Sequence, residues 1–163
     1  MLAASFILGI FALTFVFDDL LDKQVNPNES PQYFESVGGL RDVHLQQNRQ
    51  GHYVASGLIN DIPVTFLLDT GATDVAIPAP IAQAAGLRAG NESRAYTANG
   101  SVAVYSTRVD TLIIGNIVLH DIPASITPSM AGDTILLGMS ALRQIEFTQR
   151  GDRLTLRQLP ETY

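Results

Sequence analysis

Four two-residue turn signals do most to limit what this chain can fold into. Asn60-Asp61, Asn99-Gly100, Gly115-Asn116 and Gly151-Asp152 each separate two apolar runs of strand length. Such dipeptides tolerate positive φ, which gives the twist that tight hairpins need. The flanking runs are HYVASGLI and IPVTFLL, SRAYTA and SVAVYSTRV, VDTLIIG and IVLHDIPASI, then EFTQ and RLTLRQL. Together they predict an all-β domain over residues 43–160. Two short helices are expected within it, one over Pro78–Leu87 stopped at Gly86 and one over the segment MSALRQI.

The N-terminal part has a different composition. Met1 to Phe17 is apolar apart from Ser5 and Thr14, and as a helix it would span roughly 25 Å. It lacks a basic start and an A-x-A-like exit, and it ends in Phe17-Asp18-Asp19. That favours an N-terminal transmembrane helix, an uncleaved anchor over 1–17, rather than a signal peptide. Residues 18–42 hold KQVNPNESPQ and ESVGG, where Pro, Asn, Ser and Gly predict a flexible linker. Asn28-Glu29-Ser30 within it matches a glycosylation sequon.

Charge and composition exclude several functions. The formal charge is −6, and Lys and Arg form no cluster, so no nucleic-acid partner is expected. There is no cysteine, and His44, His52 and His120 lie far apart, so neither a metal site nor a cofactor is expected.

One stretch breaks the β pattern. In FLLDTGATDVAIP, residues 66–78, an apolar strand runs straight into Asp69. A carboxylate at the end of a buried strand is costly unless it is paired or used, so Asp69 is either a turn residue or a working one. An internal echo bears on the choice. Residues 59–72 and 119–141 share a D-I-P turn and a Leu-Leu run ending in a sharp turn, with Gly138 where the first copy has Asp69. A serine hydrolase is excluded, because the surroundings of Ser140 lack the second glycine of G-x-S-x-G.

In these residues the chain resembles the retropepsin-like aspartic proteases. Asp69-Thr70-Gly71-Ala72 after Phe66-Leu67-Leu68 matches their D-T/S-G-A loop, and Ile135-Leu136-Leu137-Gly138 before a helix matches their hydrophobic-hydrophobic-glycine element. The hairpin at Asn99-Gly100 falls where their flap belongs. With its apolar N-terminus, the chain is most similar to the single-domain, membrane-anchored bacterial members.

The resemblance implies an aspartic endopeptidase with Asp69, Thr70 and Gly71 as catalytic residues. It implies that Ala72, with Thr97, Ala98, Asn99, Gly100, Ser101 and Val102 of the flap, binds a protein or peptide substrate. One chain holds one D-T-G, so a homodimer is implied, and RLTLRQL is expected to supply interface strands. Leu67, Ile77, Val102, Val104 and Ile126 are expected to line an apolar cleft. The membrane partner follows from the anchor, and the implied location is the bacterial inner membrane, single-pass, with the protease domain periplasmic. A non-catalytic membrane-tethered β domain, using the same fold for binding or assembly, stays open as the alternative.

Overall fold

The computed structural model describes residues 24–97 and 100–160. The proposed anchor and residues 18–23 lie outside the described residues. Among the described residues, no helix is long and apolar enough to cross a membrane.

Strands meet at all four turn signals. Asn60 and Asp61 have φ of 45° and 66° and join β3 (Val54–Ile59) to β4 (Ile62–Leu68). Positive φ at both central residues matches the right-handed twist of the strands they connect. Gly115, at φ 58°, turns β7 (Gly100–Ile114) into β8 (Ile117–Thr127), and Gly151, at φ 61°, turns β10 (Glu146–Arg150) into β11 (Arg153–Gln158). The remaining hairpin joins β6 (Glu92–Thr97) to β7, with Thr97 opposite Gly100.

These strands build a closed barrel. The order β3-β4-β9-β5-β8-β7, with β5 at Val75–Pro78 and β9 at Thr134–Leu137, returns on itself because Leu58 and Ile59 of β3 pair with Ile113 and Leu112 of β7. Two parallel pairs, β4 with β9 and β5 with β8, cross the barrel; the echo holds only in part, because Asp121-Ile122-Pro123 lies inside β8, with Asp121 at φ 54°, and is not a turn between strands. Phe66, Ile59, Ile77, Leu112, Ile122, Ile135 and Leu137 are fully buried inside. The helices are short: α1 covers Ala79–Ala84 and α2 only Met139–Leu142.

A second sheet, in the order β1-β2-β11-β10, carries the chain ends of the domain; β1 is Gln32–Glu35 and β2 is Arg41–Gln46. Val43, Leu45, Leu154 and Leu156 alternate inward into the core. On the outer face Arg157 clamps Asp42 through Nε and Nη2, each at 2.8 Å. The expectation that RLTLRQL offers interface strands is corrected here, because β11 lies between β2 and β10 and both its edges are already paired.

The linker boundary is also corrected. Residues 32–35 form a strand antiparallel to β2, and Asn28 is only 4% exposed. Its Nδ2 donates to the carbonyls of Gln46 at 2.9 Å and Val54 at 2.6 Å, while its Oδ1 accepts the Gln46 N–H at 2.7 Å. The described part of this segment, from residue 24, therefore belongs to the folded domain. Composition missed this because the segment is held by amide hydrogen bonds instead of apolar packing. The same burial leaves the Asn28 amide no room for a glycan.

Asn28→Ala removes three hydrogen bonds, one buried and two partly buried, and leaves the Gln46 N–H and Val54 carbonyl without this partner. It should cost about 2–3 kcal/mol, lowering Tm by several degrees; an unchanged melting curve would contradict the role given to this side chain. A second expectation concerns acid. The Arg157 hydrogen bond holds the Asp42 carboxyl below its ordinary range, against a smaller opposing effect of burial. A lowered folded-state value stabilises above the unfolded pKa, about 3.9, and this contribution is lost as pH falls through the folded value. Asp42→Asn should therefore lower Tm at neutral pH and flatten its fall below pH of about 4, in melts recorded across pH.

Candidate active site

Strand β4 delivers Asp69 into a loop whose bonds are nearly all to backbone. The Asp69 N–H donates to the Leu137 carbonyl at 3.1 Å, extending the parallel register of β4 on β9 by one residue. The Ala72 N–H donates back to the Asp69 carbonyl at 3.2 Å. The Asp69 Oδ1 accepts the Gly71 N–H at 2.8 Å. Asp69 is half-buried, and Thr70 and Gly71 are exposed, so the carboxylate is oriented by its own loop and still reachable from solvent.

Gly71 is needed for closeness more than for an unusual backbone. A Cβ there would sit 3.1 Å from Asp69 Oδ1, crowding the oxygen that its N–H binds. Its φ lies outside the left-handed region where only glycine is at ease. The D-T-G spacing thus sets a carboxylate–amide contact across two residues.

The loop is held from behind by the start of α2. Met139 N–H donates to the Ala72 carbonyl at 2.8 Å and Ser140 N–H to the Thr73 carbonyl at 2.9 Å. Ser140 Oγ, 1% exposed, accepts the Val75 N–H at 3.0 Å. Helix starts leave N–H groups without internal partners, and here the loop carbonyls take them. This explains the glycine of I-L-L-G: a Cβ on Gly138 would collide with the Asp74 carbonyl oxygen and lie 2.8 Å from that of Ala72. Sequence reasoning considered Ser140 only as a nucleophile and missed this bracing role. The available signal was a small hydroxyl residue two positions after that glycine.

The residues expected in the site fall on two elements. Asp69, Thr70, Gly71 and Ala72 share the loop after β4, whereas Thr97, Gly100, Ser101 and Val102 lie on the β6–β7 hairpin. Ala98 and Asn99 lie outside the described residues. Thr97 Oγ1 donates to the Gly100 carbonyl at 2.9 Å across the hairpin end, and Thr97, Gly100 and Ser101 are exposed. The expected apolar cleft is corrected in part. Ile77, Val104 and Ile126 are buried, with Ile77 beside Ile126 in the parallel β5–β8 register; they pack the interior, and only Leu67 and Val102 keep accessible surface. Among the described residues, no group of acidic and histidine side chains could hold a metal ion.

Comparison with known proteins agrees with this geometry. A profile of the family described as "gag-polyprotein putative aspartyl protease" matches residues 55–144, from β3 through α2. A protein from a Sinorhizobium species, described only as an uncharacterized protein in the cobV 5' region, is 32% identical over 123 residues. That match covers 73% of this chain and 53% of the relative, so the chain spans about half the length of the curated protein it resembles. A retropepsin-like aspartic protease from Rickettsia conorii has a similar crystal structure, with a TM-score of 0.59 at 24% identity over 78% of this chain and 95% of that one. At that identity the likeness concerns the fold alone.

Gly138→Ala should force the Ala72–Asp74 backbone away from α2. A loss of about 1–3 kcal/mol is expected from overpacking against fixed backbone, with faster hydrogen exchange at the N–H groups of Val75, Met139 and Ser140. Exchange unchanged at all three would show that the glycine does not hold the loop.

Proposed function

Because the chain belongs to the gag-polyprotein aspartyl protease family and has a retropepsin-like fold, we propose that it is an aspartic endopeptidase working as a homodimer. The observation that carries this is the Asp69 carboxylate, fixed by the Gly71 N–H and a braced loop while open to solvent. A carboxylate kept only to make a turn needs no such support from α2.

The D-T-G sequence occurs once in the chain, so the second carboxylate is Asp69 of another copy, across a two-fold axis. Two carboxylates held close share one proton, since both cannot ionise cheaply. The ionised one takes a proton from a water placed between them. The resulting hydroxide oxygen attacks the peptide carbonyl carbon while the protonated carboxyl donates to the carbonyl oxygen. Collapse of the tetrahedral intermediate breaks the C–N bond, and a carboxyl proton passes to the departing amine. Thr70, exposed beside Asp69, braces the two loops through its hydroxyl, and the β6–β7 hairpin closes over an extended peptide. Ala72 and the hairpin residues from Thr97 to Val102 contact that peptide. Residues 1–17 anchor the enzyme as a single pass in a bacterial inner membrane, with the protease domain on the periplasmic side, and tethering raises the effective concentration of partner copies.

Asp69→Asn keeps the shape and the Gly71 contact but removes the base. It should fold and assemble as the parent does, yet lose at least about 100-fold in kcat/KM on a peptide library, roughly 3 kcal/mol of transition-state stabilisation. The parent rate should trace a bell against pH, because only the singly protonated pair works. Retained activity in the variant would end the aspartic-protease reading, and a fully inactive parent would favour a binding or assembly domain.

A further inference from the structure

Large apolar side chains that stand exposed are gathered on one border of the domain. Of the seven such residues among the described ones, four fall between residues 25 and 37: Val25, Tyr33, Phe34 and Val37. A fifth, Leu159, follows β11 where Gln158 is opposite Arg41 and Pro160 packs beside Gly39, at the same end of the second sheet as Val37. Exposed apolar side chains met singly are ordinary. A set collected on one border marks an interaction surface.

The border is the free side of β1 and the segment leading into it. Strand β1 pairs only with β2, and its four residues are all exposed. At one end, Asn48 Nδ2 donates to the Val25 carbonyl at 3.0 Å and Arg49 Nη1 to the Gln24 amide oxygen at 2.9 Å. At the other end the turn into β2 is closed by the Ser36 N–H on the Leu40 carbonyl and the Gly39 N–H on the Ser36 carbonyl. Val37, within that turn, is fully exposed. Tyr33 and Phe34 lie between the two ends. Tyr33 is steadied by the Gly115 turn and Phe34 by His44, whose ring centre is 5.1 Å away, yet more than half of each stays in contact with solvent. Rings already fixed in direction lose little further freedom on docking.

We propose that this border seats the domain on the surface of a phospholipid bilayer. The proposal rests on the anchor reading above, in which residues 1–17 cross the membrane. Six residues then separate Phe17 from Gln24, and they reach at most about 20 Å. The chain therefore joins the domain at the Val25 end of the border, within that distance of the lipid. A weak apolar contact suffices there, because the anchor supplies a high local concentration of bilayer.

The chemistry of the border fits a shallow seat. Tyrosine has an apolar ring and a polar tip, which suits the headgroup level. Backbone groups on the free side of β1 have to stay near water, so the strand cannot enter the hydrocarbon itself. Residues 24–49 carry Glu29, Glu35 and Asp42 against Arg41 and Arg49; Asp42 is committed to Arg157, and Glu35 lies opposite Arg41. The border is thus close to neutral on a chain of charge −6, and its contact with lipid is apolar, with no need of anionic headgroups.

The chain has no tryptophan, so a single introduced one reports alone. The full-length chain carrying Val37→Trp, reconstituted in phosphatidylcholine vesicles, should lose about half its emission when the acyl chains carry bromine near the headgroup end, the depth at which an interfacial indole settles. Tyr96→Trp, at a site 89% exposed but on the β6–β7 hairpin, should keep its emission in the same vesicles. Adding Phe34→Glu to Val37→Trp should restore most of the lost emission while the protein still floats with the vesicles. An unquenched Val37→Trp in a chain that does float with them would overturn the seat and leave the anchor standing. If that indole were blue-shifted as well, residues 1–17 or a second copy would be what covers the border. Equal quenching at Val37→Trp and Tyr96→Trp, or quenching unmoved by Phe34→Glu, would also overturn the seat. A chain that fails to float with the vesicles would sink the anchor and the seat together. None of these readouts depends on peptidase activity.

Discussion

The site depends on one exchange of hydrogen bonds, between a loop with spare carbonyls and a helix with spare N–H groups. The Ala72 and Thr73 carbonyls point at Met139 and Ser140, whose N–H groups open α2 and have no partner within it. A helix of four residues gains little from its own hydrogen bonds, so α2 owes its position to the loop as much as the loop owes its shape to α2. Everything upstream serves this meeting. Parallel pairing of β4 with β9 brings Leu68 beside Leu137, so the residues after each strand emerge together. Gly138 then lets the two backbones approach to a distance that no side chain would permit. Asp69 gains a fixed direction from that contact without being buried, and buried is where an unpaired carboxylate would be most costly.

How far the sequence revealed this depended on the range of the chemistry involved. The hairpins were legible because their cause is local: Asn60, Asp61, Gly115 and Gly151 adopt positive φ that most residues resist. The D-T-G-A and I-L-L-G elements were legible as a pair, because both follow strong apolar strands in a recognisable order. Asn28 was not. Its partners on β2 and β3 are 18 and 26 residues away, and nothing near it in the sequence marks it as buried. The cleft residues failed for a related reason. An alternating strand shows that one face is covered, but inside a closed barrel that covered face is the core, and Ile77 and Ile126 went there. Ser140 could have been found only by asking what the first N–H groups of the helix would bind.

The two sheets divide the work differently from what composition suggested. The barrel holds the apolar interior and the loop that presents Asp69. The second sheet packs a thin apolar face, Val43, Leu45, Leu154 and Leu156, under an outer face of Asp42, His44, Thr155 and Arg157. The bidentate Asp42–Arg157 pair joins β2 to β11 across 115 residues of sequence, tying the start of the domain to its end. That tie, with the Asn28 amide, keeps residues near 24–46 on the body of the domain and sets where a preceding segment would leave it.

A closed barrel that carries one D-T-G aspartate is complete as a fold, and in the proposed mechanism it supplies half of a catalyst. Closure through β3 and β7 leaves that ring no strand edge to offer a second copy. The proposed assembly would therefore draw on parts outside it: the β6–β7 hairpin, which the proposed mechanism reserves for substrate, or the second sheet. Within that sheet β2 and β11 are paired on both sides, and β1 has a carbonyl already engaged by Asn116. Of the strands paired on one side only, β1, β6 and β10, β10 alone is neither engaged by Asn116 nor part of the hairpin assigned to substrate. It begins only a few residues after α2, the helix that braces the Asp69 loop. The Asp69 loop is thus joined to the second sheet through one short connection, so a contact made on that sheet in the proposed dimer would reach the loop through α2.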